Sequence, residues 1–355
     1  MSWQKTRVTD SIGIEYPILQ GPFGGGFSSV KLLSAVSNAG GLGAFGAYTL
    51  SPREIYETDK QIKAATNKPY NINLWVSDTD TKDGSVSDDQ YEKTKKIFQP
   101  YFDELGIPVP EKPAPFQSRF ENQLQVILDI KPKVFSYMFG TLPEDVLEEC
   151  RRRGIRTVGT ATTLDEAIAL EATGTDMIIA TGFEAGGHRP SFLEKSEQSL
   201  TGTFVLLQLM REKIKVPVIS AGGIADGRGA KAAFLLGADA VQIGTAFLAC
   251  EESNASPLHR QMLFSDAAKQ TALSRSFTGR LGRGLSGRLV KELLSKEAPH
   301  LPFPLQTTFM APLRQAATDQ DRSDMIFFWG GQIAPLVKHK RAKDLMESLV
   351  EELNG

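Results

Sequence analysis

Residues 216–247 read VPVISAGGIADGRGAKAAFLLGADAVQIGTAF. Two apolar runs, 216–222 and 239–245, bracket a helical pattern at 227–236, with Asp226 placed to cap it. Both runs are apolar at nearly every position, as strands buried on both faces are. A strand, a helix and a second such strand make a parallel βαβ unit. The same rhythm extends upstream through strand candidates at 16–21, 41–46, 70–76, 133–140, 156–162 and 176–182. A helical segment follows each; the stretch Ser51-Pro52-Arg53-Glu54 carries an N-cap serine, a first-turn proline and a capping-box glutamate, and Thr163 with Glu166 repeats the box. Eight units in roughly 250 residues predict an α/β fold of the closed (β/α)8 TIM-barrel type, with an open doubly wound sheet as the rival.

Two regions depart from the rhythm. Residues 77–115 are polar, then helical (91–104), then proline-rich, and read as an insertion after the third strand. Residues 270–355 read as an extension of helices and loops. The expected organisation is a barrel domain at 1–269 and an extension at 270–355 that packs on the barrel and can cover its active site.

Composition narrows the function. The 355 residues are 41% hydrophobic and 23% charged, with a formal net charge of −2, so no global basic field points to nucleic acid or an anionic membrane. No apolar run is long enough to span a bilayer, and the polar start lacks a secretory signal. The two cysteines, Cys150 and Cys250, have no metal-ligand spacing. A reduced, cytoplasmic setting and no metal are expected.

Two G-x-G-x-x-G matches, Gly41/Gly43/Gly46 and Gly282/Gly284/Gly287, are out of place: neither follows a strand and opens a helix, so they read as packing glycines. The glycines that matter end the seventh and eighth strands. Gly222 and Gly223, with Gln242, Gly244 and Thr245, meet at the rim where this fold recurrently binds phosphate, and their backbone N–H groups can surround a dianion. Beside them, residues 180–190 read ATGFEAGGHRP. Gly182 ends the sixth strand, so Glu184–His188 falls in a rim loop, where Gly186 and Gly187 allow close backbone approach to a ligand and His188 can face it. An imidazole there can accept a proton or donate a hydrogen bond. Glu184 is either catalytic or a partner for backbone N–H groups. Arg189 suits an anionic substrate tail or a surface ion pair. The arginines of 279–288 close over a ligand or are solvated. Phe23, Phe27, Trp75, Tyr137 and Phe183 are candidates for an apolar substrate wall, while His259, His300 and His339 read as structural or surface histidines.

The motifs YPILQGPFGGG, FEAGGHR, SAGGIADGRG and AVQIGTAF, in that order, resemble the nitronate monooxygenase family, formerly called 2-nitropropane dioxygenases. The resemblance covers residues 14–250, with echoes in FTGRLGRG and FWGGQ. It implies an FMN-containing TIM barrel that oxidises alkyl nitronates, or nitroalkanes, with O2 to a carbonyl compound and nitrite, without metal or NAD(P)H, as a monomer or homodimer. By the same resemblance Gly222, Gly223, Gln242, Gly244 and Thr245 hold the FMN phosphate. Gln20, Gly21, Asn73, Thr181, Gly186 and Gly187 lie beside the flavin, and His188 is the active-site histidine. Thr181 stands where the family commonly has glutamine, Pro190 where it has glycine, and Met138 where relatives carry a polar residue. Alternatives are an NAD(P)H-dependent FMN reductase of quinones or enoyl thioesters, and a flavin-binding barrel without turnover.

Overall fold

A computed structural model describes residues 3–355. In chain order the first nine strands are β1 (Ile18–Gln20), β2 (Gly43–Gly46), β3 (Tyr70–Trp75), β4 (Val134–Met138), β5 (Arg156–Ala161), β6 (Met177–Thr181), β7 (Gly187–His188), β8 (Val218–Ala221) and β9 (Ala240–Ile243). All but β7 pair in parallel in the order β1-β9-β8-β6-β5-β4-β3-β2, and a parallel bridge between Leu19 and Leu42 joins the two ends. The sheet is therefore a closed (β/α)8 barrel, and β8 and β9 are its seventh and eighth strands.

Strand alternation sorts the side chains into two cores. On β3, Tyr70, Ile72 and Leu74 point outward into the layer beneath the helices, with Phe135 and Tyr137 of β4. A smaller inner cluster takes Leu19, Leu42, Val134, Val158, Ile179 and Ile219, plugged by Val8 and Ile12 of the N-terminal helix Arg7–Ile12. This parity decides which residues can reach the barrel mouth.

The cap at Ser51 forms as expected, with Glu54 returning to the Ser51 N–H. The box at Thr163 is only half formed. Thr163 accepts from the Glu166 N–H, but the fully buried Glu166 carboxylate accepts from Thr162, Phe192 and Leu193 instead, tying β5 to the loop after His188.

The end of the chain does two separate things. Helix Asp88–Glu104 of the insertion packs its Phe98 and Phe102 edge-on against Phe309 of helix Leu305–Asp319, so insertion and extension share a core of their own. The last helix, Ala342–Asn354, instead returns to the barrel and inserts Leu345, Met346 and Leu349 between helices Val30–Asn38 and Gly227–Leu235. It takes the place of the barrel's eighth helix, because β9 is followed only by the single turn Thr245–Leu248. Two further strands, β10 (Thr271–Ser274) and β11 (Gly282–Leu285), form a small antiparallel sheet with β7, in which Gly282 pairs with His188 and Arg283 with Gly187.

Candidate active site

The C-terminal ends of the barrel strands open into a cavity of about 230 Å3. Gly21, Phe23, Thr181, Gly186, Gly187, His188, Gly222, Gly223, Gln242, Gly244 and Thr245 all line it, as do Phe27 and Trp75. Gln20, Asn73, Tyr137 and Arg189 do not.

The physical reasons differ. Tyr137 has the outward parity of Phe135; it is fully buried, and its hydroxyl bonds Thr175 at 2.5 Å, so it belongs to the core and not to a substrate wall. Its neighbour Met138 has the inward parity and lines the cavity. Asn73 lies one inward position below Trp75. Its Nδ2 donates to Ser136 at 2.9 Å, and its buried Oδ1 has no partner. Gln20 stitches the barrel seam, accepting from the Ala44 N–H at 3.0 Å and donating to the Gly21 carbonyl at 2.6 Å. Phe183 stands off the cavity beneath the Arg283 guanidinium.

Arg189 is neither a substrate ligand nor a surface ion pair. It is 4% exposed, and its guanidinium donates to the carbonyls of Thr181 (2.5 Å), Thr162 (3.1 Å) and Ser199 (2.7 Å), clamping the ends of β5 and β6 to the following loop. Burial lowers its pKa to about 10, which leaves it charged at neutral pH. Arg189→Met leaves three buried carbonyls without their donor. At roughly 1–3 kcal/mol per orphaned group, a loss of about 3 kcal/mol or more is expected as a lower urea midpoint at unchanged slope.

At one end of the cavity lies a cradle of glycines. Gly222 and Gly223 both have positive φ, +100° and +72°, and their N–H groups have no acceptor among the described residues. A Cβ on Gly223 would meet nothing nearer than the Glu184 Cβ at 3.9 Å, and one on Gly244 nothing nearer than Phe23 at 4.0 Å. Gly244 has φ −100°, which any residue adopts. Its missing side chain therefore leaves room that the protein itself does not use. Free donors around open space fit an anion. Thr245 accepts from the Gly331 N–H at 2.9 Å and keeps its own hydroxyl proton for a ligand. Glu184 is a fixing group: its carboxylate accepts from the N–H and hydroxyl of Thr203 at the start of helix Thr203–Lys213.

His188 lines the same cavity. It was expected in a loop; pairing with β11 makes it part of the two-residue strand β7. Gly186 is needed for a different close approach from the expected one. A Cβ there would meet the backbone of Gly330 and Gly331 at 2.5–2.6 Å, so the glycine admits the C-terminal extension and not a ligand. The His188 ring is caged by Trp75 (5.2 Å between centroids), Trp329 (4.8 Å) and Phe303 (5.9 Å). Tyr48 stacks on Trp75 at 3.7 Å. Burial, with Arg280 close by, pushes the His188 pKa down to about 3, so the ring is neutral at physiological pH. With the Thr278 hydroxyl donating to the Arg280 carbonyl (3.2 Å), its oxygen is free to accept from a His188 Nε2–H (2.9 Å), the tautomer that leaves Nδ1 its lone pair.

The arginines of the 279–288 stretch turn away from the cavity. Arg280 is ion-paired to Asp80 beneath Phe139 and Phe303, Arg283 bonds the Phe183 carbonyl, and Arg288 joins Glu104, Glu292 and Asp324. Gly43 and Gly46 of the first out-of-place fingerprint sit against the backbones of Leu33 and Phe23, as packing glycines.

A family model for nitronate monooxygenase matches residues 5–352. The chain belongs to the nitronate monooxygenase family. A probable nitronate monooxygenase of Staphylococcus aureus (strain Newman) is 33% identical over 353 residues, which cover 99% of this chain and 98% of that protein. The solved nitroalkane oxidase from Streptomyces ansochromogenes has a TM-score of 0.88 at 33% identity, over 98% of this chain and 97% of that one. FabK from Thermotoga maritima has a TM-score of 0.74 at 28% identity, over 99% and 96%. As a member of the nitronate monooxygenase family the chain is an oxidoreductase. Its departures from the family motifs, Met138, Thr181 and Pro190, all lie on the cavity wall, where they alter lining and not fold.

Of the other wall residues, Thr278 and Trp329 fall in the FTGRLGRG and FWGGQ echoes, whereas Tyr48, Thr307, Arg314 and Ile333 carry no motif. His259, read as surface or structural, is 3% exposed, and its Nε2 holds the Trp329 carbonyl at 2.8 Å. Burial lowers its pKa to about 4, against the opposing effect of that hydrogen bond. The unfolded chain therefore takes up a proton near pH 6.5 that the folded chain refuses until about pH 4. Stability is full above pH 6.5 and falls as pH drops toward 4, by about 2 kcal/mol at pH 5 from this group. Urea melts at pH 7.5 and pH 5 should show the loss, and His259→Phe should shrink it.

Proposed function

We propose that this protein is an FMN-dependent oxidase of alkyl nitronates, consuming O2 and releasing a carbonyl compound and nitrite. One observation carries this reading within the family: a neutral histidine in an aromatic cage faces the same cavity as a cradle of free N–H groups. The residues fit FMN. Gly222, Gly223, Gly244 and Thr245 would hold its phosphate, and Gly21, Thr181, Gly187 and Gln242 line the space its ring needs. Bound FMN supplies the electron transfer between substrate and oxygen.

The chain's own residues bind and orient. Trp75, Trp329 and Phe303 exclude water around His188 and hold its ring edge-on or tilted. Thr278 fixes the Nε2–H tautomer, so the group left to act is the Nδ1 lone pair, which can accept a proton. A nitronate has already lost its α-proton and asks for no strong base. A nitroalkane must be deprotonated, and an imidazole held near pKa 3 is a weak base for that step. The site therefore suits nitronates first and nitroalkanes second.

Three measurements on the purified protein test the reading. Mass spectrometry of the denatured supernatant should find FMN, not FAD. Nitrite should form from propionate nitronate in air. Mixed anaerobically, a nitronate should bleach the flavin faster than NADH does; rapid bleaching by NADH alone would replace the oxidase reading with a reductase.

A further inference from the structure

Of the hydroxyl side chains on the cavity wall, Thr245 and Thr278 are engaged within the protein, while Tyr48, Thr160, Thr181 and Thr307 make no side-chain hydrogen bond to any described residue. Tyr48 differs from the three threonines in how it is held. Its ring stacks on Trp75, 3.7 Å between centroids and 9° from parallel. On another side a Cβ at Gly24 would meet the ring at 2.3 Å, so the first glycine of the GGG run at 24–26 is what admits it. Trp75 in turn meets His188 edge-on, which leaves one ring between Tyr48 and the histidine.

A phenylalanine would stack on Trp75 as well as a tyrosine does, so packing does not explain the hydroxyl. Taking it out of water costs free energy that no protein acceptor offsets. The oxygen is not sealed in, as the unpartnered Asn73 Oδ1 is; it keeps access to the cavity that Tyr48 lines. Burial, opposed by the nearby Arg280 charge, raises the Tyr48 pKa to about 12, so the group is a protonated donor at neutral pH. His188 has the complementary character. In the tautomer whose Nε2–H goes to Thr278, it offers the cavity an acceptor and no donor. A nitronate spreads its negative charge over two oxygens, and these ask for donors.

We propose that Tyr48 is a substrate-binding residue: its O–H donates to an oxygen of the nitronate group, and its ring, held between Gly24 and Trp75, fixes where that oxygen sits. The inference rests on the nitronate reading above and deepens it. A nitronate carries the charge from the start, so it gains the bond on binding. A nitroalkane gains it as charge moves onto its oxygens during deprotonation, where such a donor acts on the rate.

Tyr48→Phe keeps the ring and removes only the O–H. The substrate is propane-2-nitronate, and the binding probe is isobutyrate, an unreactive carboxylate with the same heavy-atom skeleton. In the FMN-loaded enzyme, the KM for the nitronate and the Kd of isobutyrate should both rise roughly ten- to a hundredfold, the worth of one hydrogen bond to a charged group. Isobutyramide, of the same shape without the charge, should lose much less. With 2-nitropropane the loss should fall on kcat more than on KM. The Kd of FMN and the circular dichroism spectrum should stay at wild-type values. Nitronate KM and isobutyrate Kd both unchanged in Tyr48→Phe would overturn the proposal. So would a raised Kd of FMN with isobutyrate binding to the reconstituted enzyme unchanged, which would give the hydroxyl to the cofactor. If isobutyrate binding responds to Tyr48 but the wild type turns over no nitronate, Tyr48 stands as a donor to a planar anion and the oxidase reading falls.

Discussion

Gly223→Val should purify folded and largely colourless. The residue sits at φ +72°, where a side chain costs about 1–2 kcal/mol and a β-branched one more. The larger effect is on the ligand. A valine at 223 would project into space bounded only by Glu184 at 3.9 Å, the space that the free N–H groups of Gly222 and Gly223 surround. Losing two charge-assisted hydrogen bonds, at roughly 1.5–3 kcal/mol each, weakens flavin binding by about 3 kcal/mol or more, over a hundredfold in Kd. Flavin absorbance per chain and the Kd of reconstitution with FMN measure this, with circular dichroism to confirm the fold. Wild-type flavin content in the variant would remove the β8 end from the phosphate site. Gly244→Ala is the milder companion. Its backbone is unstrained and its Cβ has room, so any loss of flavin there reports on the ligand alone.

The strands were legible because a buried parallel strand is apolar throughout, and eight such runs leave few other folds. The glycine cradle was legible for a different reason: a glycine pair ending one strand and a single glycine ending its neighbour fall at the rim where this fold recurrently binds phosphate. What failed was parity and distance. Tyr137 and Met138 are neighbours in one strand, and only the alternation that groups Tyr137 with Phe135 shows which of them faces the mouth. That signal was present in the sequence, since Ser136 and Met138 share a face that Phe135 and Tyr137 do not. Arg189 could not be read, because its partners are backbone carbonyls of Thr162, Thr181 and Ser199, and a carbonyl has no sequence signature. Nor could the contact of Thr278 and Trp329 with His188, up to 141 residues downstream of it, counted as 329 − 188, which the pairing of β11 with β7 and the Gly284–Trp329 bridge bring about. The eighth barrel helix was hidden likewise, since residues 249–341 separate β9 and its single turn from Ala342–Asn354.

His188→Asn should separate two substrates. Turnover of neutral nitroalkanes should fall, by less than the roughly 10²–10⁴-fold a well-matched general base is worth because a pKa near 3 makes His188 a weak one, while turnover of pre-formed nitronates falls far less again. The geometry supports the split. His188 Nε2–H is spent on Thr278, leaving the Nδ1 lone pair, and the other proton acceptor on the wall, Glu184, is held by Thr203. Nitroalkane activity then has one source of base, and asparagine can donate and accept hydrogen bonds but cannot take a proton near neutral pH. The cage sets the pH behaviour. With the His188 pKa lowered to about 3, the imidazole is neutral across pH 5–9, so kcat/KM for a nitronate should show no limb near pH 6.5. Opening the cage with Trp329→Leu should raise the histidine's pKa and bring that limb into view. Equal loss on both substrates with flavin retained would make His188 a positioning group for the nitronate and not a base. Unchanged turnover of both would leave the histidine a structural one, held by Thr278 for the sake of the β7–β11 pairing. A wild-type limb near pH 6.5 that vanishes in His188→Asn would show that the aromatic rings do not keep the imidazole neutral.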